Sequence, residues 1–236
     1  MKDIVYGFGS SVVAVSSVGI DFKDGDAAFK DKFVLTSAQK SWLQGYGVRP
    51  GKVLFPKQVH GADVWCVTSQ NADALFVHEA DAVITNEPGL AVAVRTADCL
   101  PALFYDPVRR VIAAVHAGWK SSHLKIVGAT LQAMKDAYGT DPKDVKAAIG
   151  PCIRTVSYPV GKEFKGYFPE DVIETPQGLR LDLSGANRRQ MLAGGIRPEN
   201  IADSNLCTFT DKERFYSFRR DADHAGRLIS LIMMVS

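Results

Sequence analysis

Short apolar runs rich in valine, isoleucine and alanine recur along the chain, and glycine, proline and aspartate separate them. Runs of about four to eight such residues between turn signals are typical of β-strands. The pattern predicts strands over Val12 to Val18, Val53 to Phe55, Val64 to Thr68, Ala82 to Thr85, Leu90 to Thr96, Ala102 to Tyr105, Val111 to His116, Val145 to Ile149, Phe215 to Phe218 and Leu228 to Val235.

Other stretches space their apolar residues at a helical period. These predict helices over Asp31 to Gln44, Ser121 to Tyr138, Gly161 to Phe168 and Ser184 to Leu192. In the second helix, Ser121 or Ser122 is expected as the N-cap, because a hydroxyl there accepts a hydrogen bond from a first-turn amide, and Gly139 is expected as the stop. Strands interrupted by helices predict an α/β, layered α+β fold with mixed sheets.

Length and charge narrow the classes of protein. The 236 residues, 46% of them hydrophobic, suit a single domain over 1–236. The net charge is +2 and arginines occur at most in pairs, so nucleic acid is not an expected partner. No apolar run approaches the roughly 18 to 20 residues of a membrane span, and no signal peptide is evident, so we expect a cytoplasmic protein. The four scattered cysteines suggest free thiols.

Three candidate metal ligands stand where apolar runs give way to turn residues. They are His60 in KQVHGADV, Cys99 in TADCLPALFYDP and His116 in VHAGWKSS. Two imidazoles and a thiolate suit zinc and leave a fourth tetrahedral position open for water or substrate. Packing or hydrogen bonding at a strand end explains each residue equally well, so the residues alone leave both interpretations open.

The segment around His116 also suggests an anion site. A strand ending at His116, a glycine at 118 and a helix beginning near 121 would place free backbone N–H groups beside a ligand. The alternative is that Gly118 serves only a tight turn. Asp98 adjoins Cys99 and is expected either to orient the ligand from the second shell or to hold a loop amide.

Several blocks in order resemble the YfiH/LACC1 family, also called the multicopper polyphenol oxidase or purine nucleoside phosphorylase family. The similarity extends from about Phe55 to the C-terminus through VHG, DAVIT, TADCLPALFYDP, VHAGW, IGPCI, LDL and CTFTDKERFYSFRRDADHAGR. The chain departs from the family pattern at Lys120, Ser121 and Ser122, where the family has Arg, Gly and Thr, and at Pro159, where it has an acid. The N-terminal segment 1–50 is divergent.

The resemblance implies a CNF1/YfiH-like fold and an enzyme of one domain. It implies a zinc-dependent purine nucleoside phosphorylase that releases base from adenosine or inosine with phosphate, with methylthioadenosine as a further substrate and adenosine deamination as a side activity. The resemblance gives His60, Cys99 and His116 as catalytic and metal-binding residues. Its further implied contacts, to substrate or phosphate, are Lys57, Gly118, Lys120 and Arg220.

Three alternatives remain open beside this interpretation. A Cys99 nucleophile with His116 as base would make a hydrolase of a peptidoglycan precursor amide. A copper polyphenol oxidase is disfavoured, because its copper sites would need on the order of ten imidazoles and the chain has five histidines. A non-catalytic metal-binding module is disfavoured because structural zinc usually has four protein ligands. The sequence leaves the oligomeric state undetermined.

Overall fold

The computed structural model of the protein describes residues 4–5, 12–20, 37–68 and 78–235. Residues 31–36 of the first predicted helix and much of the divergent segment 1–50 lie outside these ranges. The strands in the described ranges are β1 (Ile4–Val5), β2 (Val12–Ile20), β3 (Val53–Leu54), β4 (Val64–Cys66), β5 (Ala82–Thr85), β6 (Ala91–Thr96), β7 (Leu100–Asp106), β8 (Val111–Ala117), β9 (Lys146–Ile149), β10 (Val172–Thr175), β11 (Gly178–Leu181), β12 (Ile201–Asp203) and β13 (Arg227–Met234).

The helices are shorter and lie between the strands. They are α1 (Ser37–Gly45), α2 (Trp119–His123), α3 (Ile126–Tyr138), α4 (Phe164–Tyr167), α5 (Leu183–Ala193) and α6 (Phe218–Asp221), with single 3-10 turns at Pro50–Lys52, Pro142–Asp144, Thr155–Ser157, Pro198–Asn200 and Ala222–His224. None of the helices in the described ranges is long and apolar enough to cross a membrane.

Two mixed sheets pack face to face. The five-stranded sheet has the order β1-β2-β13-β6-β3 and the six-stranded sheet the order β12-β9-β7-β8-β5-β4, while β10 and β11 form a separate hairpin. Apolar side chains from both sheets, such as Val92, Leu103, Ile112 and Ile232, form the core between them. Burial of this apolar area is the main stabilising contribution to the sandwich.

A helical layer covers the outer face of the six-stranded sheet. Ile126 and Leu131 of α3 and Met191 of α5 pack against Ala113 and Val115 of β8. On the outer face of the five-stranded sheet, Leu43 of α1 belongs to a smaller core with residues of β6 and β13. The predicted fold class, mixed sheets flanked by helices, is therefore confirmed.

Two predicted elements are wrong. The alternating Phe215 to Phe218 run is a loop that leads into α6, because its polar groups are satisfied locally: the Phe215 carbonyl accepts a hydrogen bond from Arg220, and the Ser217 hydroxyl caps α6. The helix predicted over Ser121 to Tyr138 is two helices separated at Lys125, which has a left-handed φ of 67°. The buried residues of α3 recur at helical spacing and α2 directly precedes it, so the pattern concealed the break.

The predicted N-cap is also wrong, whereas the predicted stop is confirmed. Gly118 is the N-cap of α2, and Ser121 and Ser122 are fully buried within the helix. The Ser122 hydroxyl donates to the Asn187 side chain, which ties α2 to α5. Gly139 ends α3 with a left-handed φ of 70°, as expected of a helix C-terminal glycine.

Candidate metal centre

His60, Cys99 and His116 meet at one edge of the sandwich. Their ligand atoms all lie within 4.8 Å of one another. The Nε2 atom of His60 is 3.9 Å from the Sγ atom of Cys99, and the centroids of the two imidazole rings are 4.7 Å apart. The structure thus brings together the three residues that the sequence singled out as ligands.

The sheet connections explain how these distant residues come together. His60 lies between β3 and β4, and Cys99 lies between β6 and β7. In both cases the first strand belongs to the five-stranded sheet and the second to the six-stranded sheet. His116 lies near the end of β8 and is paired with Pro101 of β7, two residues after Cys99. Two of the three ligands therefore lie where the chain passes between the sheets.

Asp81, just before β5, holds two of the ligands in place. Its fully buried carboxylate is 2.6 Å from Nδ1 of His116 and accepts hydrogen bonds from the backbone N–H groups of Val59, His60 and Gly61. These bonds fix the turn in which His60 has a left-handed φ of 61°. With Nδ1 of His116 bound to Asp81, its Nε2 is left for a metal ion.

Asp81 was missed as a functional residue by the sequence reasoning. DAVIT was recognised as a family block, but no role was given to its acid. The available signal was an aspartate directly before a mostly apolar strand, because a carboxylate is almost never buried unless it is paired.

Electrostatics favour a thiolate on Cys99 and an imidazolium on His116. Burial raises the pKa of the Cys99 thiol, but the charge of His116 and hydrogen bonds from His116 and His60 outweigh burial and lower the pKa to about 6. Burial lowers the pKa of His116, but the charge of Cys99 and the hydrogen bond with Asp81 outweigh it and raise the pKa to about 9. At neutral pH the thiol is thus already in its metal-binding form, and a bound cation would displace one proton from His116.

The cluster has the size of a tetrahedral metal site. In a tetrahedral zinc site, nitrogen and sulfur ligand atoms lie about 3.5 Å apart. The 3.9 Å between His60 and Cys99 is close to this value, and His60, which is exposed, has room to adjust. Three protein ligands leave the fourth position open to the solvent or a substrate.

Gly118 lies directly against the ligands. A Cβ atom at this position would be 2.9 Å from Sγ of Cys99 and 2.9 Å from Cδ2 of His60. Its φ of −71° is open to any residue, so close approach explains the glycine. The five-residue helix that follows offers little support for the predicted anion site at this turn.

A cavity of about 540 Å³ opens on the exposed side of the cluster. Its aromatic wall consists of Trp119, Tyr158 and Phe218, and Arg219 lies over the Tyr158 ring at 5.4 Å. Such a cavity, with an aromatic wall and a few polar groups, is typical of small-molecule sites.

Asp98 holds the loop that supplies part of this wall. Its carboxylate accepts hydrogen bonds from the hydroxyls of Thr208 and Ser217 and from the backbone N–H of Arg219. Asp98 itself has a left-handed φ of 87°. Of its two predicted roles, the structure gives it the one of holding a loop amide, and it thereby positions Phe218 and Arg219.

The predicted cationic contacts are dispersed. Lys120 lines the cavity and lies over the Trp119 ring. Lys57 forms an exposed ion pair with Glu79 at 2.8 Å. The Arg220 guanidinium donates to the carbonyls of Thr208, Phe209 and Phe215 and pairs with Asp221. Arg220 thus stabilises the loop, and its position gives no support to a phosphate contact.

The other histidines and cysteines lie away from the cluster. His78 stacks on Trp65, His123 packs against Tyr167, and His224 is exposed. The four cysteines lie in the described ranges as thiols outside any disulfide, and burial raises the pKa of Cys152 to about 12, consistent with a packing role. Within the described residues, His60, Cys99 and His116 form the one group able to hold a metal ion.

Comparison with known proteins identifies the family. Residues 9–235 match the family described as multi-copper polyphenol oxidoreductase laccase. The chain belongs to this family. Within this laccase-like family, a Bacteroides thetaiotaomicron relative named purine nucleoside phosphorylase is 34% identical over 207 residues, which cover 81% of this chain and 77% of the relative.

A second laccase-like relative is the Bacillus subtilis protein named purine nucleoside phosphorylase YlmD. It is 29% identical over an alignment that covers 99% of this chain and 89% of the relative. The crystal structure of the Bacillus licheniformis protein YfiH superposes with a TM-score of 0.86 at 25% identity, over 98% of this chain and 96% of that chain. The resemblance to the YfiH/LACC1 family, and with it the prediction of an enzyme, is confirmed.

We expect Asp81→Asn to weaken zinc binding about 10- to 100-fold, the usual cost of losing an outer partner of a metal ligand. The amide would remove the charge that orients His116 and would turn an N–H group toward the donors of residues 59–61. Competition with a chromogenic chelator measures the affinity. Asp63→Asn, which changes an exposed acid two residues after Gly61, is the matched control. Equal affinities for the two variants would contradict the role given to Asp81.

Proposed function

We propose that the protein is a zinc-dependent purine nucleoside phosphorylase that acts on adenosine and inosine, with methylthioadenosine as a further substrate and adenosine deamination as a side activity. One observation carries the proposal: the His60, Cys99 and His116 cluster borders a cavity with an aromatic wall. The names of the laccase-like relatives support the same reaction class.

The side chains around the cavity suit a nucleoside. Trp119, Tyr158 and Phe218 offer ring faces for a purine, and Phe218 is 50% exposed, so its ring is available for stacking. Lys120 and Arg219 supply hydrogen-bond donors at the same wall. A zinc ion held by His60, Cys99 and His116 would supply a Lewis acid with one open position.

In the proposed reaction, an oxygen of hydrogen phosphate forms a bond to C1′ of the ribose while the bond from C1′ to N9 of the purine breaks. The electron pair of the broken bond leaves with the base, and the proton of hydrogen phosphate ends on the base. The products are ribose 1-phosphate and the free purine. The protein contributes chiefly by holding both reactants at the cluster, because proximity and orientation lower the barrier strongly.

Zinc is favoured over copper by the count and placement of the histidines. A multicopper oxidase needs further copper ions in addition to a His₂Cys centre, and imidazole is their usual ligand. The other three histidines lie outside the cluster and have different surroundings: His78 stacks on Trp65, His123 packs against Tyr167, and His224 is exposed. The chain therefore lacks the histidines for a second copper cluster.

A cysteine hydrolase is the second candidate, and the ion pair of Cys99 and His116 favours it. A thiolate with a pKa near 6 beside an imidazolium that Asp81 orients is the arrangement of an activated nucleophile. An amide of a peptidoglycan precursor is the substrate that the family resemblance suggests.

Product analysis with and without phosphate separates these functions. Adenosine or inosine is incubated with the zinc-loaded protein, and base and ribose 1-phosphate are quantified by chromatography. We expect base release to depend on phosphate and to match ribose 1-phosphate mole for mole. Base released equally without phosphate would indicate nucleoside hydrolysis. No base release, with Cys99 acylated by an activated amide or ester, would favour the cysteine hydrolase.

A further inference from the structure

A second, smaller cavity also adjoins the ligand cluster. Its volume is about 360 Å³, and all three candidate ligands line it, whereas the larger cavity contacts only His60 and Cys99. The remaining described residues of its wall are Gln58, Arg95, Thr96, Ala97, Phe218 and Arg227. The two cavities therefore meet at the cluster, with Phe218 in both walls.

The described wall of the smaller cavity is positively charged. It includes Arg95 and Arg227 and no aspartate or glutamate. Among the described residues, Arg227 forms no ion pair within 4 Å, and its Nη1 atom donates to the carbonyls of Ala225 and Gly226. Burial lowers the pKa of Arg227, although the charges of Cys99, Asp223 and Asp98 act in the other direction. Burial and the nearby charge of Arg227 lower the pKa of Arg95 to about 10. Two neighbouring guanidinium groups in a partly desolvated place repel each other, and a bound anion would stabilise both.

The sheet register brings the two arginines together although they are far apart in the sequence. Arg95 on β6 pairs with Ile229 on β13. Arg227 precedes Ile229 by two residues and therefore lies on the same face of the sheet as Arg95. Diagonal neighbours of this kind lie about 7 to 8 Å apart, so two long side chains can reach one ligand.

Gln58 and Thr96 connect this pair to the cluster. The Gln58 side chain donates to the carbonyl of Arg95 at 2.8 Å and accepts from its N–H at 2.9 Å, so the loop that holds His60 is fixed to β6 beside Arg95. Thr96 is 2% exposed, and its Oγ1 atom has no hydrogen-bond partner among the described residues. Because successive residues of a strand point to opposite faces, this hydroxyl lies on the other face of β6 from Arg95, and the candidate anion site rests on the two arginines.

We propose that this smaller cavity binds inorganic phosphate through Arg95 and Arg227. Guanidinium groups bind phosphate oxygens in pairs of charge-assisted hydrogen bonds. The inference rests on the proposed function, and it assigns the phosphate to the smaller cavity and the nucleoside to the larger one. The phosphate and the nucleoside would then reach the cluster from different cavities, both of which border His60 and Cys99.

The test measures phosphate binding separately from catalysis. Inorganic phosphate is titrated calorimetrically into the zinc-loaded wild type and into Arg227→Met and Arg95→Met, in which an unbranched apolar side chain replaces the cation. The KM values for phosphate and for inosine are measured in parallel. Arg109→Met, which changes an exposed arginine of the turn between β7 and β8, is the matched control.

We expect the dissociation constant and the KM for phosphate to rise about tenfold or more in both cavity variants, as loss of a charged hydrogen bond predicts. The KM for inosine should change less than about twofold, and Arg109→Met should behave as wild type. Should Arg227→Met fail to fold, Arg227→Lys keeps the charge without the fork and is expected to show a smaller rise in the same constants.

Each outcome decides one of the two claims. Wild-type phosphate affinity in both cavity variants, or no phosphate binding by the wild type, would overturn the phosphate site. Loss of phosphate binding in the variants of a protein that shows no phosphorolysis would keep the phosphate site and overturn the proposed function.

Discussion

Cys99→Ala is expected to lose the proposed zinc ion and the proposed activity together. The thiolate is the only anionic donor among the three ligands, and the remaining pair of imidazoles makes an incomplete site. The loss of affinity should exceed the roughly 10- to 100-fold cost of losing an outer partner. Elemental analysis of the gently purified protein should fall from about one zinc per chain to a small fraction of that.

Cys66→Ala is the control for this experiment. Cys66 is half-buried on β4 and its Sγ atom is 3.1 Å from the hydroxyl of Tyr138, away from the cluster. This variant should keep its zinc and its turnover. Full zinc retention by Cys99→Ala, with a normal thermal melt, would refute the ligand assignment.

Gly118→Ala should be as damaging to the site as a change of a ligand, although it removes no functional group. The added methyl would lie 2.9 Å from both Cys99 and His60, so one of them must move. A displacement of about 1 Å in a catalytic site can cost on the order of 100-fold in rate. Zinc affinity and turnover are both expected to fall, while the backbone conformation at 118 is acceptable to alanine.

Gly128→Ala provides a matched comparison. Gly128 lies within α3, and a Cβ atom there would have no neighbour within 4 Å. Alanine should raise the free energy of unfolding by about 0.5 to 1 kcal/mol, because an unfolded chain with alanine at this position has less conformational freedom to lose on folding than one with glycine. Equal zinc affinity and turnover in the two alanine variants would show that Gly118 tolerates a side chain and that close approach does not explain it.

The sequence predicts the central strands well, because their burial is uniform. The runs Ala82 to Thr85, Leu90 to Thr96 and Val111 to His116 agree with β5, β6 and β8 to within one residue at each end. The hairpin of β10 and β11 was not predicted, since its residues are mostly half-buried or exposed and show no apolar run. Local periodicity reports burial, and it is weak where a strand has little to bury.

The residues of the candidate site were also predicted only in part. His60, Cys99 and His116 were found because each belongs to a recognisable local motif. Arg95 and Arg227 were not found, because only the pairing of β6 with β13 makes them neighbours, and that register cannot be read from either segment alone.

The position of two ligands on the chain crossings between the sheets has a mechanical consequence. If the two sheets slid over each other at this edge, the segments with His60 and Cys99 would move relative to His116 on β8. An ion bound to all three would oppose this relative movement of the two sheets. An ion that binds only the folded state stabilises that state by mass action. The free energy of unfolding should therefore rise with the concentration of the ion, by an amount that the dissociation constant of the ion sets.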